Sequence, residues 1–185
     1  MVKKKACIFI SGKGTNLKEL IRNSRDYSFP INISCVVSDS LKAEGLSYAK
    51  LYKIPYYILN TNKQLSAELI LQKLKGNNIS LICLAGYMKI IKKKFINKFN
   101  GKIVNIHPSL LPKYKGLDTF KRVLKYREKI TGCTVHYVNS KLDSGKKILQ
   151  KKIFINSNDT EKSLKKKVQL AEYKAYPEAI IRVFK

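Results

Sequence analysis

The sequence predicts an α/β protein with a doubly wound, Rossmann-like, mostly parallel sheet, a C-terminal antiparallel hairpin and a final helix. Short apolar runs rich in β-branched residues alternate with longer amphipathic stretches as far as about residue 130. This is the pattern of strands that are buried on both faces of a parallel sheet. Beyond that point two strand-like runs follow each other with only a loop between them, which is typical of a hairpin. A helix-capping sequence then precedes the last segment of the chain.

Five runs are interpreted as the parallel strands: ACIFIS (6–11), NISCVVS (32–38), YYIL (56–59), SLICLAG (80–86) and KIVNIH (102–107). The stretches between them carry leucine and isoleucine at helical spacing, as in Leu17, Leu20 and Ile21. Because strand and helix alternate, the chain reads as a βαβ series, and such a series folds into a doubly wound sheet.

The hairpin is predicted from GCTVHYV (132–138) and ILQKKIFI (148–155), and either Asp159 or Thr160 is the expected N-cap of the last helix. No linker, repeat or low-complexity segment interrupts the pattern. We therefore expect residues 1–185 to form a single domain, long enough to bury a core without disulfide or metal staples.

The composition is that of a globular protein, with 44% hydrophobic residues. No apolar run approaches the roughly 18 residues of a membrane span, and the basic N-terminus leads into a short run that resembles a strand more than a signal peptide. The four cysteines are far apart, with no CxxC pair and no Cys–His cluster. We therefore expect buried reduced thiols, no metal site and a cytoplasmic protein.

The chain is strongly basic, with 38 lysines and arginines against 12 acidic residues and a net charge of +26. Such a charge is compatible with nucleic-acid binding through the release of phosphate counterions. The lysines are spread along the whole chain, however, mostly at the polar positions of amphipathic segments, where a solvated face explains them. We therefore consider nucleic acid an improbable partner and expect the field to attract small anionic substrates.

The first loop, within ISGKGTNLKELI (10–21), places two glycines and a Thr-Asn pair between a strand and a helix. Backbone N–H groups at a helix N-terminus can hold an anion. A dinucleotide fingerprint needs a third glycine where this chain has Leu17, and a Walker A motif is absent. The spacing alone leaves two interpretations open: a site for a single phosphate, or a glycine turn that joins the strand to the helix.

The strongest candidate for chemistry is VNIHPSLLPKYKG (104–116). Asn105 and His107 are two residues apart at the carboxyl end of the fifth strand, so their side chains leave the same face, at the edge where α/β sheets bind ligands. Pro108 ends the strand, and a cis bond before Pro112 is compatible with the turn that follows. An amide and a histidine on one face can stabilise an oxyanion and move a proton.

Asp143, in the loop sequence LDSG, could approach His107 across the crevice of the predicted fold. A carboxylate there would raise the pKa of the imidazole and fix its orientation. Each residue alone has a structural explanation, a strand end or an Asx turn, so the hypothesis depends on their combination. His136, the second histidine, is interpreted mainly as a structural residue that supports the crevice wall, with direct participation in the site as the alternative.

Together these segments resemble the phosphoribosylglycinamide formyltransferase family, the folate-dependent enzymes of de novo purine synthesis. The motifs of the resemblance cover essentially the whole chain in the family's order: ISGKGTNL, LAGYMKII, NIHPSLLPKYKG, GCTVHYV, LDSGKKILQ and VQLAEYKAYP. NIHPSLLP is shared with the wider group of 10-formyltetrahydrofolate hydrolases and transferases, whereas SGKGTN and AEYKAYP indicate the glycinamide enzymes. The resemblance implies direct transfer of a formyl group from 10-formyltetrahydrofolate, a co-substrate, to the amine of 5-phosphoribosylglycinamide, with neither a metal nor a covalent intermediate.

The resemblance also implies a role for each residue at a matching position. Asn105 would hold the formyl oxygen, His107 would donate the proton and Asp143 would tune His107. The ribonucleotide phosphate would bind at the first loop, through Gly14, Thr15 and Asn16, and other ribonucleotide contacts would come from Gln169 and Glu172. The residues implied for the folate are Lys63, Met88, Lys89, Ile90, Ile91, Asn105, Ser140, Lys141 and Leu142.

Some positions depart from the family pattern. Lys13 stands where a small or amide residue is usual, and Asp118 and Phe120 stand where some members have histidines. DSGKK (143–147), with Lys146 and Lys147, replaces the Gly-Pro that is common after the aspartate and makes this loop less rigid. The sequence leaves open whether these changes alter substrate affinity, although none of them falls on Asn105, His107 or Asp143.

Three alternatives remain at this stage. A methionyl-tRNA formyltransferase-like enzyme would be expected to carry an extra C-terminal domain, and a formyltetrahydrofolate deformylase an extra N-terminal one. A non-catalytic basic RNA-binding module would have no need of an acid-base set. We expect small-molecule substrates and a protein that is a monomer or a homodimer.

Overall fold

The computed structural model describes residues 2–59 and 66–185. The strands follow the order β3-β2-β1-β4-β5-β6-β7 in a seven-stranded sheet, which confirms the predicted α/β class. The chain divides into two compact units, Met1–Val104 and Asn105–Lys185, and each is described by itself below. The expectation of one domain over residues 1–185 stays a prediction.

The first unit contains four parallel strands, with β1 between β2 and β4 and with β3 beside β2. The apolar half of β1, from Ala6 to Ile10, is fully buried, because both faces of a central parallel strand are covered. The bounds of the strands are Lys4–Ile10 (β1), Ile31–Ser38 (β2), Tyr56–Ile58 (β3) and Leu81–Leu84 (β4). The helices are Thr15–Ser24 (α1), Leu46–Leu51 (α2), Ala67–Gly76 (α3) and Lys93–Lys98 (α4).

Several strand boundaries differ from the sequence prediction by one or two residues, and two of these differences have a clear physical reason. β1 begins two residues early, at Lys4, because Lys4 and Lys5 pair with Ile31 and Asn32 of β2 although their side chains are exposed. β4 ends at Leu84 rather than residue 86, since Gly86 has a φ of 74°, a left-handed conformation that an extended strand does not contain.

The second unit contains the antiparallel hairpin and the last helix. Its elements are α5 (Thr119–Lys125), β6 (Ile130–Tyr137), β7 (Lys147–Phe154) and α6 (Glu161–Phe184), and β5 (Lys102–His107) ends inside it. The pairing of β6 with β7 runs from Ile130 opposite Phe154 to His136 opposite Lys147, which confirms the predicted hairpin. Thr160, not Asp159, is the N-cap of α6, and it forms a capping box with Ser163.

The four cysteines are buried and form no disulfide, as expected. In the described part of the chain no helix is both long and apolar enough to cross a membrane.

Candidate active site

Asn105 and His107 lie at the end of β5 as the sequence predicted, His107 buried and Asn105 half-buried. Both ring nitrogens of His107 face acceptors of the protein. The backbone oxygen of Tyr114 is 2.8 Å from Nε2, and since a carbonyl can only accept, Nε2 carries a hydrogen and donates it. Nδ1 lies 3.3 Å from Oδ2 of Asp143. The imidazole is therefore oriented from both sides.

Asp143 reaches this position because the loop between β6 and β7 folds back over the strand end. Its backbone has a φ of 44°, the left-handed conformation that aspartate tolerates better than most residues. Two residues later, a Cβ on Gly145 would overlap the backbone oxygen of Tyr137, so only glycine permits this path. The N–H of Gly116 donates to Oδ2 of Asp143 over 2.9 Å, so the carboxylate is held by backbone as well as by histidine.

The pKa of Asp143 is lowered to about 2. Burial opposes ionisation most strongly, but the proximity of His136, the N–H bond from Gly116 and the charge of His107 together outweigh it. The carboxylate is therefore ionised throughout the neutral range, and it can accept a hydrogen bond from Nδ1 of His107 whenever the ring takes up its second proton.

The pKa of His107 is lowered from its ordinary value, chiefly because burial disfavours the charged ring. The Tyr114 carbonyl and the charge of Asp143 both raise it, while His136 and Arg122 lower it. The contribution of Asp143 has the sign that the sequence suggested, but burial is the larger effect. A lowered imidazole pKa keeps the ring able to give up a proton near neutral pH.

His136, on β6, joins the same cluster. It is 2% exposed, and its Nδ1 lies 2.8 Å from the backbone oxygen of Tyr137. Its Nε2 lies 3.2 Å from Nδ2 of Asn105 and 3.6 Å from Oδ1 of Asp143. The structure thus brings together the three residues predicted from the sequence and adds a second histidine to them.

The segment after β5 is tied to the hairpin by side-chain bonds. The N–H of Leu111 donates to Oγ1 of Thr134 over 3.0 Å, and the Thr134 hydroxyl donates to the backbone oxygen of Ser109 over 2.6 Å. Gln150 of β7 donates to the backbone oxygen of Leu111 over 2.9 Å. The bond before Pro112 is cis, as the sequence suggested. These contacts hold the segment whose backbone contacts His107.

The loop after β1 is an independent candidate site, in the first unit. Gly14 has a φ of 68° and is the N-cap of α1, so the first N–H groups of the helix face the loop. Gly45 packs directly against it: the N–H of Gly45 donates to the backbone oxygen of Gly12 over 2.9 Å. A Cβ on Gly14 would lie 2.5 Å from the Cα of Gly45. Thr15 is half-buried and Asn16 is buried.

The segment that the resemblance assigns to the folate follows β4 in the same unit. Met88 and Ile90 are large apolar residues that are 68% and 77% exposed, Lys89 is exposed and Ile91 is half-buried. The N–H of Met88 donates to the hydroxyl of Ser11 over 2.8 Å, which joins this segment to the loop after β1. Exposed apolar side chains at the carboxyl end of a strand are suited to an aromatic ligand. Lys63 lies outside the described residues.

The remaining predicted contacts lie in the second unit. Ser140, Lys141 and Leu142 are exposed on the loop that carries Asp143. Gln169 and Glu172 are half-buried, three residues apart on α6, and so share one helix face. Burial and then the charge of Glu172 raise the pKa of the Cys133 thiol to about 12, which places the Glu172 carboxylate on the side of α6 near β6.

Three groups that contact residues of the candidate sites were not identified from the sequence: the Tyr114 carbonyl beside His107, the Gly116 N–H beside Asp143, and Gly45 beside Gly14. The first two are backbone groups, which no side-chain motif reports. Tyr114 has a left-handed backbone, with a φ of 56°, and its carbonyl faces His107. Among the described residues, no group of three or more His, Cys, Asp or Glu side chains is arranged to hold a metal ion.

Comparison with known proteins agrees with these observations. The model of the Formyl transferase family matches residues 4–180. A phosphoribosylglycinamide formyltransferase of Haemophilus influenzae is 41% identical over 178 residues, which cover 94% of this chain and 84% of the relative. The crystal structure of the enzyme of that name from Brucella melitensis is 37% identical with a TM-score of 0.92, over 99% of this chain and 96% of that one. The crystal structure of the phosphoribosylglycinamide formyltransferase from Anaplasma phagocytophilum is 37% identical with a TM-score of 0.91, over 97% of this chain and 85% of that one.

Proposed function

Because the chain belongs to the Formyl transferase family, and within it to the phosphoribosylglycinamide formyltransferases, we propose that it transfers the formyl group of 10-formyltetrahydrofolate to the amine of 5-phosphoribosylglycinamide. Asn105, His107 and Asp143 form the reacting centre of this proposal. The observation that carries it is the clustering of an amide, a buried imidazole and an ionised carboxylate at the end of β5. A module that only binds RNA would not need such a cluster of acid-base groups.

His107 acts as the acid-base group in this proposal. Its Nδ1 stays paired with Asp143, while Nε2–H exchanges the Tyr114 carbonyl for the substrate. The amine attacks the formyl carbon, and Asn105 and His107 donate hydrogen bonds to the oxygen that becomes negative. The bond from carbon to the folate nitrogen then breaks. The amine loses a proton and the folate nitrogen gains one, through His107 or a nearby water.

The binding contacts of the proposal follow the matching positions. The N–H groups and side chains of the first loop, at Gly14, Thr15 and Asn16, take the phosphate, and the N-terminus of α1 favours that anion. Gln169 and Glu172 contact the rest of the ribonucleotide. The folate contacts are assigned to Lys63, Met88, Lys89, Ile90, Ile91, Asn105, Ser140, Lys141 and Leu142, and no metal takes part.

We propose that small molecules, not nucleic acid, are the partners, and that the protein is a monomer or a homodimer. Four buried cysteines that form no disulfide suit a reducing compartment, so we place the reaction in the cytoplasm.

The test is a formyl-transfer assay with 10-formyltetrahydrofolate and three acceptors offered separately and in competition: 5-phosphoribosylglycinamide, water and charged initiator tRNA. We expect transfer to the glycinamide nucleotide to dominate, and His107→Ala to serve as the inactive control. Faster release of formate or faster tRNA formylation would replace the proposed acceptor with one of the alternatives. Binding of RNA without turnover on any acceptor, with affinity falling steeply as salt rises, would indicate the RNA-binding module instead.

A further inference from the structure

His136 contacts two of the three residues assigned to the reacting centre, although it is not itself one of them. Its Nε2 lies 3.2 Å from Asn105 Nδ2 and 3.6 Å from Asp143 Oδ1, and its side chain is 3% exposed. Both ring nitrogens of His136 lie against groups of the protein, and the geometry of these contacts determines what the ring does.

The backbone of the neighbouring residue sets the tautomer of His136. Nδ1 lies 2.8 Å from the carbonyl oxygen of Tyr137, and since a carbonyl only accepts, Nδ1 carries the hydrogen. When the ring is neutral, Nε2 in that tautomer has a lone pair and no hydrogen. It can accept a hydrogen bond but cannot donate one to Asp143, whose Oδ1 is too distant at 3.6 Å for a bond in any case.

A bare Nε2 selects one orientation of the Asn105 amide. The amide nitrogen can donate to it, whereas the amide oxygen would face it with a second lone pair. The distance of 3.2 Å between Nε2 and Nδ2 fits this donation. One amide hydrogen is thereby used, and the direction of the other is fixed by the plane of the amide.

We propose that His136 is a positioning residue: its Nε2 holds the Asn105 amide so that the second Nδ2 hydrogen is the donor presented to the formyl oxygen. This inference rests on the proposed function, because it assigns Asn105 to the formyl oxygen. It goes further by naming the contact that prevents the Asn105 amide from rotating so that its oxygen and nitrogen exchange places. Without the acceptor on His136, the amide could present its oxygen to the developing negative charge, and the stabilisation would be lost.

The tautomer can be tested without any assay of activity. The chain has two histidines, so a sample labelled with ¹⁵N-histidine gives two ring spectra, which the His136→Gln variant assigns. We expect the ring of His136 to carry its hydrogen on Nδ1 and to have none on Nε2 under the conditions of the formyl-transfer assay. A proton found on Nε2 would overturn the proposal, because Nε2 would then donate and the Asn105 amide would have to face it with oxygen.

The kinetic test asks whether His136 acts through Asn105. We expect His136→Leu to lower kcat about tenfold while the KM for either substrate changes less than about threefold, since an oriented donor acts mainly in the transition state. In the Asn105→Ala background the same change should cost less than about threefold, because the group that it positions is gone. Losses that multiply in the double variant would show that His136 does not act through Asn105.

A conservative variant, His136→Gln, separates positioning from packing. The Oε1 of the introduced glutamine lies as many bonds from Cα as Nε2 of the histidine does and can accept the Asn105 hydrogen, so most of kcat should return. Equal losses in the glutamine and leucine variants, with equal melting temperatures, would reduce His136 to a structural residue. If the unaltered protein itself fails to formylate 5-phosphoribosylglycinamide, the proposed function fails, whereas an active protein with silent His136 variants contradicts only the positioning role.

Discussion

The loop after β1 and the cluster at the end of β5 are both candidate sites, but they are built from different groups. The loop is formed by backbone: Gly14 in a left-handed conformation caps α1, and Gly45 packs against it without a side chain. The cluster is formed by side chains, with His107, Asp143, His136 and Asn105 linked by polar contacts of 2.8–3.6 Å to one another or to backbone carbonyls.

The difference teaches which changes each region tolerates and what each change should affect. A site made of backbone N–H groups is damaged by an added Cβ and binds a permanent charge such as phosphate. A site made of titratable side chains is damaged by removing a group and moves protons. We therefore expect changes in the loop to act on the KM for the phosphorylated substrate and changes in the cluster to act on kcat.

The largest effect is expected from His107→Ala. General acid-base groups contribute about 10²- to 10⁴-fold, so kcat should fall within that range. Steady-state formyl transfer measures it, and circular dichroism with thermal unfolding checks that the fold is kept. A variant that retains kcat within a few-fold of the original would remove His107 from the mechanism.

Asp143→Asn should have the next largest effect, lowering kcat about 10- to 100-fold. It also changes the pH dependence in a defined direction. The Asp143 carboxylate stabilises the charged imidazole, so losing it lowers further a His107 pKa that burial already lowers. The limb of the pH–rate profile that reports His107 should therefore move to lower pH. An unmoved limb, or one that moves to higher pH, contradicts this role for Asp143.

Gly45→Ala tests the loop. Gly45 has a φ of −61°, which any residue adopts, so alanine would cause no backbone strain there. Its Cβ would, however, crowd its neighbours, at 2.8 Å from the Cα of Gly14 and 2.9 Å from Cδ1 of Ile10. We expect the KM for the ribonucleotide substrate to rise about tenfold, while kcat changes less than about threefold and overpacking lowers the stability by about 1–3 kcal/mol.

The matched control for the loop is Gly76→Ala, since a Cβ on Gly76 meets nothing within 4 Å. The two variants are compared by substrate titration and by chemical denaturation. If Gly45→Ala lowers kcat and leaves the KM unchanged, the proposed division between binding loop and reacting cluster is wrong.

The smallest effect is expected from Lys13→Gln. Lys13 is exposed and carries a charge beside the proposed phosphate site. Exposed charges act weakly and are screened by salt, so the KM for the ribonucleotide should rise about two- to threefold at low ionic strength and not at about 0.5 M salt. Lys75→Gln, the same change at an exposed position on α3, should leave the KM unchanged. Equal effects of the two variants would mean that the general charge of the protein, not Lys13, attracts the substrate.

The sequence by itself determined the sheet, the hairpin and the pairing of Asn105 with His107 on one face. These features depend on local periodicity, and strand alternation places residues two apart on the same side wherever the strand lies. Its family motifs also predicted which residues form the candidate sites. The N-cap of α6 remained undecided between Asp159 and Thr160, because both residues can cap a helix and the backbone path chooses between them.

Only the tertiary structure decided which groups surround His107 and with what consequence. The Tyr114 carbonyl and the Gly116 N–H are backbone groups whose direction depends on the left-handed residues and tight turns of the folded chain. The net fall in the His107 pKa depends on burial, which a motif does not contain. His136, which the sequence placed in the wall of a crevice, contacts Asn105 and Asp143 because β6 and the returning loop bring residues far apart in the chain within hydrogen-bonding distance or close to it.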